Sequence, residues 1–516
     1  LSRHIEDFLS LYLMNPVSEN PAPATAVRKW ILPPPVPEAE LADLRSLPGL
    51  HPDLPPLLYR RGIRTGEELR HFFNPSLSDL ASPFRMKDMD LAVERLIRAR
   101  ENHEKLMVYG DYDVDGTTAT ALVYQVLAGL GYDATFYIPD RKLEGYGVSE
   151  AGIREAARRG VSLLVTLDCG IKAHDKVELA RELGIDCIIC DHHLPADALP
   201  AAVAVLDPRR SDCSYPCRDL SGCGVGFTLL RGLFEYMELD PEPLFRRLDL
   251  VAVSIAADIV PVTGENRILV HHGLLQINQN PSPGLRALML KSGFKPDASG
   301  RFSLKADRLV FGLAPRINAA GRIAHGENAV RLLISEEEKE AMELAGEVDD
   351  QNFTRKELDK ITTREALEQI AGLDARGFRF SSVVYQSNWH KGVIGIVASR
   401  CIEQVYRPTI VLTGSEGKLT GSGRSIPGFD LYAALEDCAG HLIQFGGHAF
   451  AAGLTLLPEK LEDFAQAFEA RVRRQLQPED LQPWLELDGE LRAGRITDAL
   501  LNQIKRMEPF GPGNLG

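Results

Sequence analysis

Three aspartates alternate in the stretch Gly110-Asp111-Tyr112-Asp113-Val114-Asp115-Gly116. Carboxylates this close repel one another, and burying them unpaired is costly, so a divalent cation would relieve them. Two plainer readings compete: a solvated Asp-rich turn, and a calcium loop of the Asp-x-Asp-x-Asp-Gly type. The calcium loop fails because the glutamate it needs at its twelfth position falls on Leu122. Further along, Thr166-Leu167-Asp168-Cys169-Gly170 and Ile189-Cys190-Asp191-His192-His193 each end an apolar run with ionisable groups. A lone aspartate in such a place is most often a helix cap. Asp-His-His is more telling, since adjacent histidines project differently and one can bind metal while the other faces substrate. The segment 250–260 is apolar apart from Ser254 and Asp258, and so isolated an aspartate needs a partner, which a metal would be. Asp113, Asp115, Asp168, His192 and Asp258 form a carboxylate–imidazole set that suits Mn²⁺ or Mg²⁺. Five such ligands can hold two divalent cations about 3.5–4 Å apart, one activating water and both steadying a phosphoryl transition state.

These residues need a scaffold that brings them together. Between 104 and 207, short apolar runs at 106–109, 134–138, 163–167, 185–190 and 203–206 alternate with amphipathic stretches at 117–130, 149–159 and 172–183. The alternation predicts an α/β fold with a mainly parallel sheet flanked by helices. Ligands of such sheets sit at the carboxyl ends of the strands, which is where Asp111, Asp168 and Asp191 fall. Helices are also expected at 57–72 and 90–100. From 335 to about 370 the chain is charged and free of proline. Ser335 and Glu338 fit a capping box there, and Gly346 with the polar stretch 349–352 is expected to bend or break the helix. Unbroken, it would span roughly 50 Å and suit a connector. A second, smaller α/β region is expected over 378–475, with apolar runs at 382–385 and 409–413 and a glycine-rich stretch at 445–453.

The chain has 516 residues, 44% hydrophobic and 25% charged, which excludes a largely disordered protein. No apolar run reaches the ~18 residues of a membrane helix, and the short stretch at 8–14, preceded by Glu6 and Asp7, reads poorly as a signal peptide. Eight cysteines without a regular frame predict a reduced, cytoplasmic protein. Cys213, Cys217 and Cys223 have a zinc-like spacing but no fourth ligand nearby, so zinc is not expected. The net charge of −14 argues against indiscriminate coating of nucleic acid. Most of it is local: residues 335–370 carry −7 and residues 458–490 carry −5. Residues 21–56 hold ten of the 32 prolines and are expected to be an extended leader. A start at Leu1 and an end at Phe510-Gly511-Pro512-Gly513-Asn514-Leu515-Gly516 suggest a chain cut at both ends. Arg316 and Arg322 fall in a glycine- and alanine-containing segment that we expect to be an anion-binding loop. Alone, Gly421-Ser422-Gly423-Arg424-Ser425 reads as a turn.

At these motifs the sequence resembles the DHH phosphoesterase superfamily, named for the Asp-His-His seen here at 191–193. It is most similar to the branch of bacterial single-strand-specific 5′→3′ DNA exonucleases. The resemblance continues through Ala257-Asp258-Ile259-Val260, Arg316-Ile317-Asn318-Ala319-Ala320-Gly321-Arg322, 392–400, 421–426, 446–453 and 508–514. Shorter members, acting on oligoribonucleotides, cyclic dinucleotides or pyrophosphate, resemble only the first motifs and a Gly-Gly-His, and such a phosphodiesterase is the alternative reading. The resemblance implies that Asp113, Asp115, Asp168, His192 and Asp258 bind the metals, with Asp168 bridging, and that His193 faces the scissile phosphate. It makes Asp111 and Asp191 ligands or orienting residues, Arg141 a grip on the substrate backbone, and His448 a substrate contact. Only the family context of the surrounding motifs makes the amides, hydroxyls and guanidinium of Gly421-Ser422-Gly423-Arg424-Ser425 a cradle for a terminal 5′-phosphate. It implies an N-terminal leader and helical region at 1–75, a DHH catalytic domain at 76–330, a connector helix at 331–374 and a DHHA1 domain at 375–478. A truncated OB-type segment would begin at 479–516. The implied partners are single-stranded DNA with a 5′ end and, from repair and recombination, single-strand-binding protein, a RecQ-type helicase and RecF-pathway factors. The expected state is a monomer away from membranes. Two departures from the branch's usual pattern stand out: Lys391 where proline is frequent, and Asp140 where histidine is frequent.

Overall fold

The structure, a computed structural model, describes residues 28–141 and 143–516. The stretch at 8–14 and the prolines Pro21 and Pro23 lie outside the described residues. The chain forms two compact units, each built from separate stretches: Pro34–Glu357 with Leu491–Gly516, and Leu358–Glu490 with the described residues up to Pro33. In the latter, β1 (Lys29–Ile31) pairs in parallel with a late strand at Trp484–Glu486.

The larger unit holds a five-stranded, all-parallel sheet of β2 (Lys105–Gly110), β3 (Asp133–Tyr137), β4 (Leu163–Leu167), β5 (Asp186–Cys190) and β6 (Ala204–Leu206), in the order β3-β2-β4-β5-β6. Side chains alternate across it. Leu106 and Val108 face one hydrophobic core, which the helices Val114–Gly129, Gly222–Tyr236 and Leu248–Ala257 help to build. Met107 and Tyr109 face another, shared with the helices Glu150–Arg158 and His174–Glu182. Burial on both faces explains why these strands read as continuous apolar runs. The register aligns Gly110 with Leu167, Leu167 with Cys190 and Cys190 with Leu206. The residues that follow, Asp111, Asp168, Asp191 and Asp207, therefore emerge as a row along one sheet edge.

Several local expectations give way to packing. Within the proline-rich leader, Glu38–Arg45 is a helix that starts directly after Pro37, carries no proline of its own and buries Leu41 and Leu44. The residues from Leu491 to Gly516, expected to open an OB-type segment, instead belong to the larger unit, with Leu500 and Met507 packed among Leu44, Leu54, Leu58 and Ile63. The charged helix runs unbroken over Glu338–Asp374, through Gly346 and the polar stretch. Its early turns bury Ala341, Leu344, Ala345 and Val348, and its later turns bury Ala366 and Ile370. The Ser335 capping box does not form: the hydroxyl bonds to the Glu337 carbonyl at 3.4 Å and to Glu340 at 3.3 Å. Arg316 and Arg322 lie in the helix Ala314–Ile323, not in a loop.

In the smaller unit, β7 (Ser382–Gln386), β8 (Thr409–Ser415), β9 (Lys418–Arg424), β10 (Gln444–His448) and β11 (Ala451–Leu456) form a mixed sheet in the order β10-β11-β9-β8-β7, with β12 (Trp484–Glu486) pairing with β1. Ile410, Leu412, Leu454, Phe464 and Phe468 are buried together in its core. Among the described residues, no helix is long and apolar enough to cross a membrane.

Candidate metal centre

The loop after β2 turns directly into the helix Val114–Gly129, whose N-cap is Asp113; its carboxylate accepts the Gly116 amide at 3.1 Å. Asp115 is the second residue of that helix and is buried. Its two oxygens accept the Gly222 and Cys223 amides at 2.6 and 2.7 Å, from the start of the helix Gly222–Tyr236, and the Ser254 hydroxyl at 2.7 Å. Asp168, at the end of β4, has φ = 60° and is 3% exposed. A Cβ on Gly222 would lie 2.6 Å from Asp168 Cβ, so only glycine lets that helix approach so closely. Asp258 is the C-cap of Leu248–Ala257.

His192 joins these pieces. Its Nε2 lies 3.1 Å from Asp168 Oδ1 and 3.7 Å from both Asp115 Oδ2 and Asp258 Oδ2. Three overlapping sets, Asp111/Asp113/Asp168, Asp168/His192/His193 and Asp115/His192/Asp258, each place one ligand atom per residue within 4.8 Å of one another. Seven of the eight sequence-expected residues of the centre are thus brought together, Asp191 being the eighth, and Asp168 and His192 each belong to two sets. Burial, then repulsion from its neighbours, raises the carboxyl of Asp168 well above its ordinary range, and Asp111 and Asp113 move the same way for the same reasons. Asp258 is pushed up to about 8 by burial and by Asp115 and Asp113. Oxygen and imidazole donors under mutual repulsion fit hard divalent cations.

Asp191 behaves differently. Burial works against its charge, but bonds from the His193 ring, the Ile171 amide and neighbouring backbone outweigh that, and its carboxyl falls to about 2. Its Oδ1 is 2.7 Å from His193 Nδ1 and 2.8 Å from the His192 amide. Asp191 is hydrogen-bonded to both histidines and is not a member of any ligand set among the described residues. Asp111 does join a set, and its Oδ1 also accepts the Gly147 amide at 3.3 Å.

Arg141 lies over the Tyr112 ring at 5.0 Å, close enough to Asp111 to stabilise its charge. Arg316 donates to Asp349 at 2.7 Å and to the Gly312 carbonyl at 2.6 Å, so its guanidinium is engaged inside the protein. Arg322 is felt electrostatically at Tyr112. Three participants escaped sequence reasoning. Tyr146 sets its hydroxyl 3.1 Å from His193 Nε2 and donates to the Asp168 carbonyl at 3.2 Å. Arg209 faces His192 and Asp258 electrostatically. Asp207 completes the strand-end row, fully buried, its carboxyl raised to about 7 chiefly by burial. Signals existed in Gly145-Tyr146-Gly147 and in an aspartate ending the run at 203–206. Cys213 and Cys223 are core residues, and no metal-capable cluster among the described residues includes the three cysteines.

In the smaller unit, Ser422, Gly423 and Arg424 lie on β9, between β8 and β11. Their amides belong to two ladders, which corrects the expected amide cradle. The side chains remain: Arg424 donates to Ser422 Oγ at 3.0 Å, and both approach Gly395 in the first turn of the helix Ile394–Val405, where a Cβ would lie 3.0 and 3.1 Å from them. Ser425 donates its hydroxyl to the Phe429 carbonyl at 2.8 Å. His448 is exposed at the end of edge strand β10.

The row of strand-end aspartates, the Asp-His-His corner and the separate mixed-sheet unit define a DHH phosphoesterase carrying a DHHA1 domain. Family models for the DHH family, N-terminal domain, and the DHHA1 domain match residues 105–255 and 380–474. The chain belongs to the RecJ family. It is 37% identical to the single-stranded-DNA-specific exonuclease RecJ of Escherichia coli (strain K12), covering 92% of this chain and 84% of that protein. It is 39% identical to RecJ of Bacillus subtilis (strain 168), covering 88% of this chain; it spans only 56% of that relative's length. A crystal structure of RecJ from Thermus thermophilus in complex with Mn²⁺ matches with a TM-score of 0.81 at 30% identity, over 94% of this chain and 68% of that one. A structure of exonuclease RecJ bound to manganese matches with a TM-score of 0.67 at 34% identity, over 79% of this chain and 98% of that one.

Proposed function

We propose that this chain is a single-stranded-DNA-specific 5′→3′ exonuclease that hydrolyses phosphodiesters with two divalent cations, Mn²⁺ or Mg²⁺. The observation that carries this is the overlap of ligand sets on Asp168 and His192, which offers two adjoining cation positions around one shared carboxylate. Asp113, Asp115, Asp168, His192 and Asp258 hold the cations, and Asp111 adds a carboxylate to one side. When bound, the cations supply the Lewis-acid charge for in-line displacement at phosphorus.

The chain's own residues do the rest. Asp191 fixes His193 through Nδ1, leaving Nε2, beside the Tyr146 hydroxyl, to place a proton or positive charge against the scissile phosphate. Arg141, stacked on Tyr112, holds the strand's backbone. Arg322 is retained as a substrate contact. Arg316, being paired with Asp349, acts by holding its helix in place or by exchanging partners with substrate. In the smaller unit, Arg424 and Ser422, with Gly423, Ser425 and the start of the helix Ile394–Val405, receive a terminal 5′-phosphate, and His448 contacts the strand. We read the domains as a catalytic region at about 76–330, a connector at 331–374 and a DHHA1 domain at 375–478. The cellular setting is cytoplasmic DNA repair and recombination, with single-strand-binding protein, a RecQ-type helicase and RecF-pathway factors as partners to test.

The test is a substrate panel. Single-stranded DNA labelled at the 5′ end, duplex DNA, short oligoribonucleotides and cyclic dinucleotides are incubated with Mn²⁺, with Mg²⁺ and with chelator. Release of label from single-stranded DNA alone, abolished by chelator, is expected. Preference for the short ribonucleotide substrates overturns the proposal.

A further inference from the structure

The block Glu508-Pro509-Phe510-Gly511-Pro512-Gly513-Asn514 lies far along the chain from every proposed metal ligand, yet it folds against the loop that follows Asp258. Asp258 ends its helix, Ile259 takes the left-handed conformation at φ = 60°, and the chain runs through Val260, Pro261 and Val262 into the helix Gly264–Gln279. A β-branched residue held at positive φ is strained and persists only where its surroundings impose it.

Two fastenings impose it. Asn266, fully buried, donates to the Pro261 carbonyl at 3.0 Å. From the other side, the Val262 amide donates to the Pro512 carbonyl at 2.7 Å. Gly511 packs directly on Val262, and a Cβ there would overlap Val262 Cγ2. The block is itself wired to the same helix. Arg267, 3% exposed, donates to the carbonyls of Met507, Glu508 and Pro509 at 2.9–3.1 Å and to that of Phe72 at 3.0 Å, with its guanidinium 3.9 Å from the Phe72 ring centroid. Asn514, 1% exposed, donates to the Met507 and Pro509 carbonyls at 2.8 Å and accepts from Arg61 at 2.6 Å. A buried guanidinium satisfied by four carbonyls, with no carboxylate among its hydrogen-bond partners in the described residues, is a backbone clamp and not an ion pair.

We infer that residues 507–514 form a positioning clasp for the metal centre: by fixing Pro261 and Val262 they hold the Ile259 turn and so aim the Asp258 carboxylate at His192. This rests on the metal-centre reading above. The clasp residues are positioning residues, touching neither cation nor substrate. They act on Asp258 through a loop of three residues, as orienting partners act on ligands elsewhere in metalloproteins.

The test uses the full chain and measures Mn²⁺ occupancy by the EPR signal of the free ion, beside the melting temperature in chelator. Gly511→Ala should weaken Mn²⁺ binding about tenfold. Adding Val262→Ala removes the methyl that the new Cβ strikes, and should restore Mn²⁺ affinity although it deletes core volume and lowers the melting temperature further. Leu500→Ala, in the hydrophobic cluster that holds Met507 but away from the Val262 loop, should lower the melting temperature and leave Mn²⁺ affinity unchanged. Gly511→Ala protein that melts early yet binds Mn²⁺ like the parent overturns the inference, as does a double variant that fails to recover. Parent protein that binds no Mn²⁺ overturns the metal reading itself and the clasp with it, a result distinct from the other two.

Discussion

The Nδ1 atom of His193 lies 2.7 Å from Asp191 Oδ1, and the same oxygen accepts the His192 amide at 2.8 Å. One carboxylate therefore orients two adjacent histidines, one proposed for metal and one for substrate. Asp191→Asn keeps the shape but loses the charge-assisted bond. We expect kcat on single-stranded DNA to fall about 10–100-fold with Mn²⁺ affinity close to that of the parent. Steady-state kinetics beside Mn²⁺ titration checks the split, and a loss confined to Mn²⁺ affinity would make Asp191 a ligand instead.

Asp168 belongs to two ligand sets and is crowded by four other carboxylates. Asp168→Ala should abolish Mn²⁺-dependent degradation. In chelator it should melt no earlier than the parent, because it removes a repelling buried charge. Mn²⁺ at about 100 times its Kd should stabilise the parent by about 2.7 kcal/mol, and the variant should lose that shift. Calorimetry with and without metal gives both readings.

Glu469 accepts the Phe380 and Ser381 amides at 3.0 and 2.8 Å and the Ser381 hydroxyl at 2.6 Å, and pairs with Arg473. Burial raises its carboxyl, but those donors outweigh it and hold it below the ordinary 4.5. A carboxyl depressed by folding stabilises fully above its unfolded value and loses that contribution as pH falls through its folded value. Glu469→Gln should therefore cost about 1.5–3 kcal/mol at pH 7, with the gap to the parent closing below pH 4.5. Urea melts across that range test the sign.

Arg424 and Ser422 meet at the start of the helix Ile394–Val405. Arg424→Ala should raise KM for 5′-phosphorylated strands about tenfold and leave 5′-hydroxyl strands nearly unaffected, one charge-assisted contact being worth about 1.5–3 kcal/mol. Equal losses on both substrates would place the guanidinium elsewhere on the strand path.

Much of the site was legible because its chemistry is local. Strands buried on both faces are apolar runs, and each run's end shows the residue it delivers, so Asp111, Asp168 and Asp191 could be read directly. What stayed hidden depends on distant packing. The Asp115 carboxylate is held by amides of Gly222 and Cys223, which no spacing connects to it. Arg316, expected in an anion-binding loop, instead pairs with Asp349 from a helix 33 residues on. The strands β9, β10 and β11 were read only as glycine-rich stretches, because glycines at 421 and 423 sit under Leu412 and Leu431 and leave no apolar alternation to read. In the last segment, expected as the start of an OB-type module, nothing in the sequence signals that Leu500 and Met507 pack against the N-terminal helices.

Pro34–Glu357 and Leu491–Gly516 make one compact unit, with the smaller unit's chain lying between them in sequence. Synthesis proceeds at about 5–20 residues per second, so some 150 residues and roughly 10–30 s of translation separate Glu357 from the block at 508–514. During that interval the nascent protein carries every proposed metal ligand but lacks residues 508–514. On the clasp reading, the metal centre is completed only after the smaller unit's chain has been made, and a message broken within that window would yield a protein with every proposed ligand but no clasp.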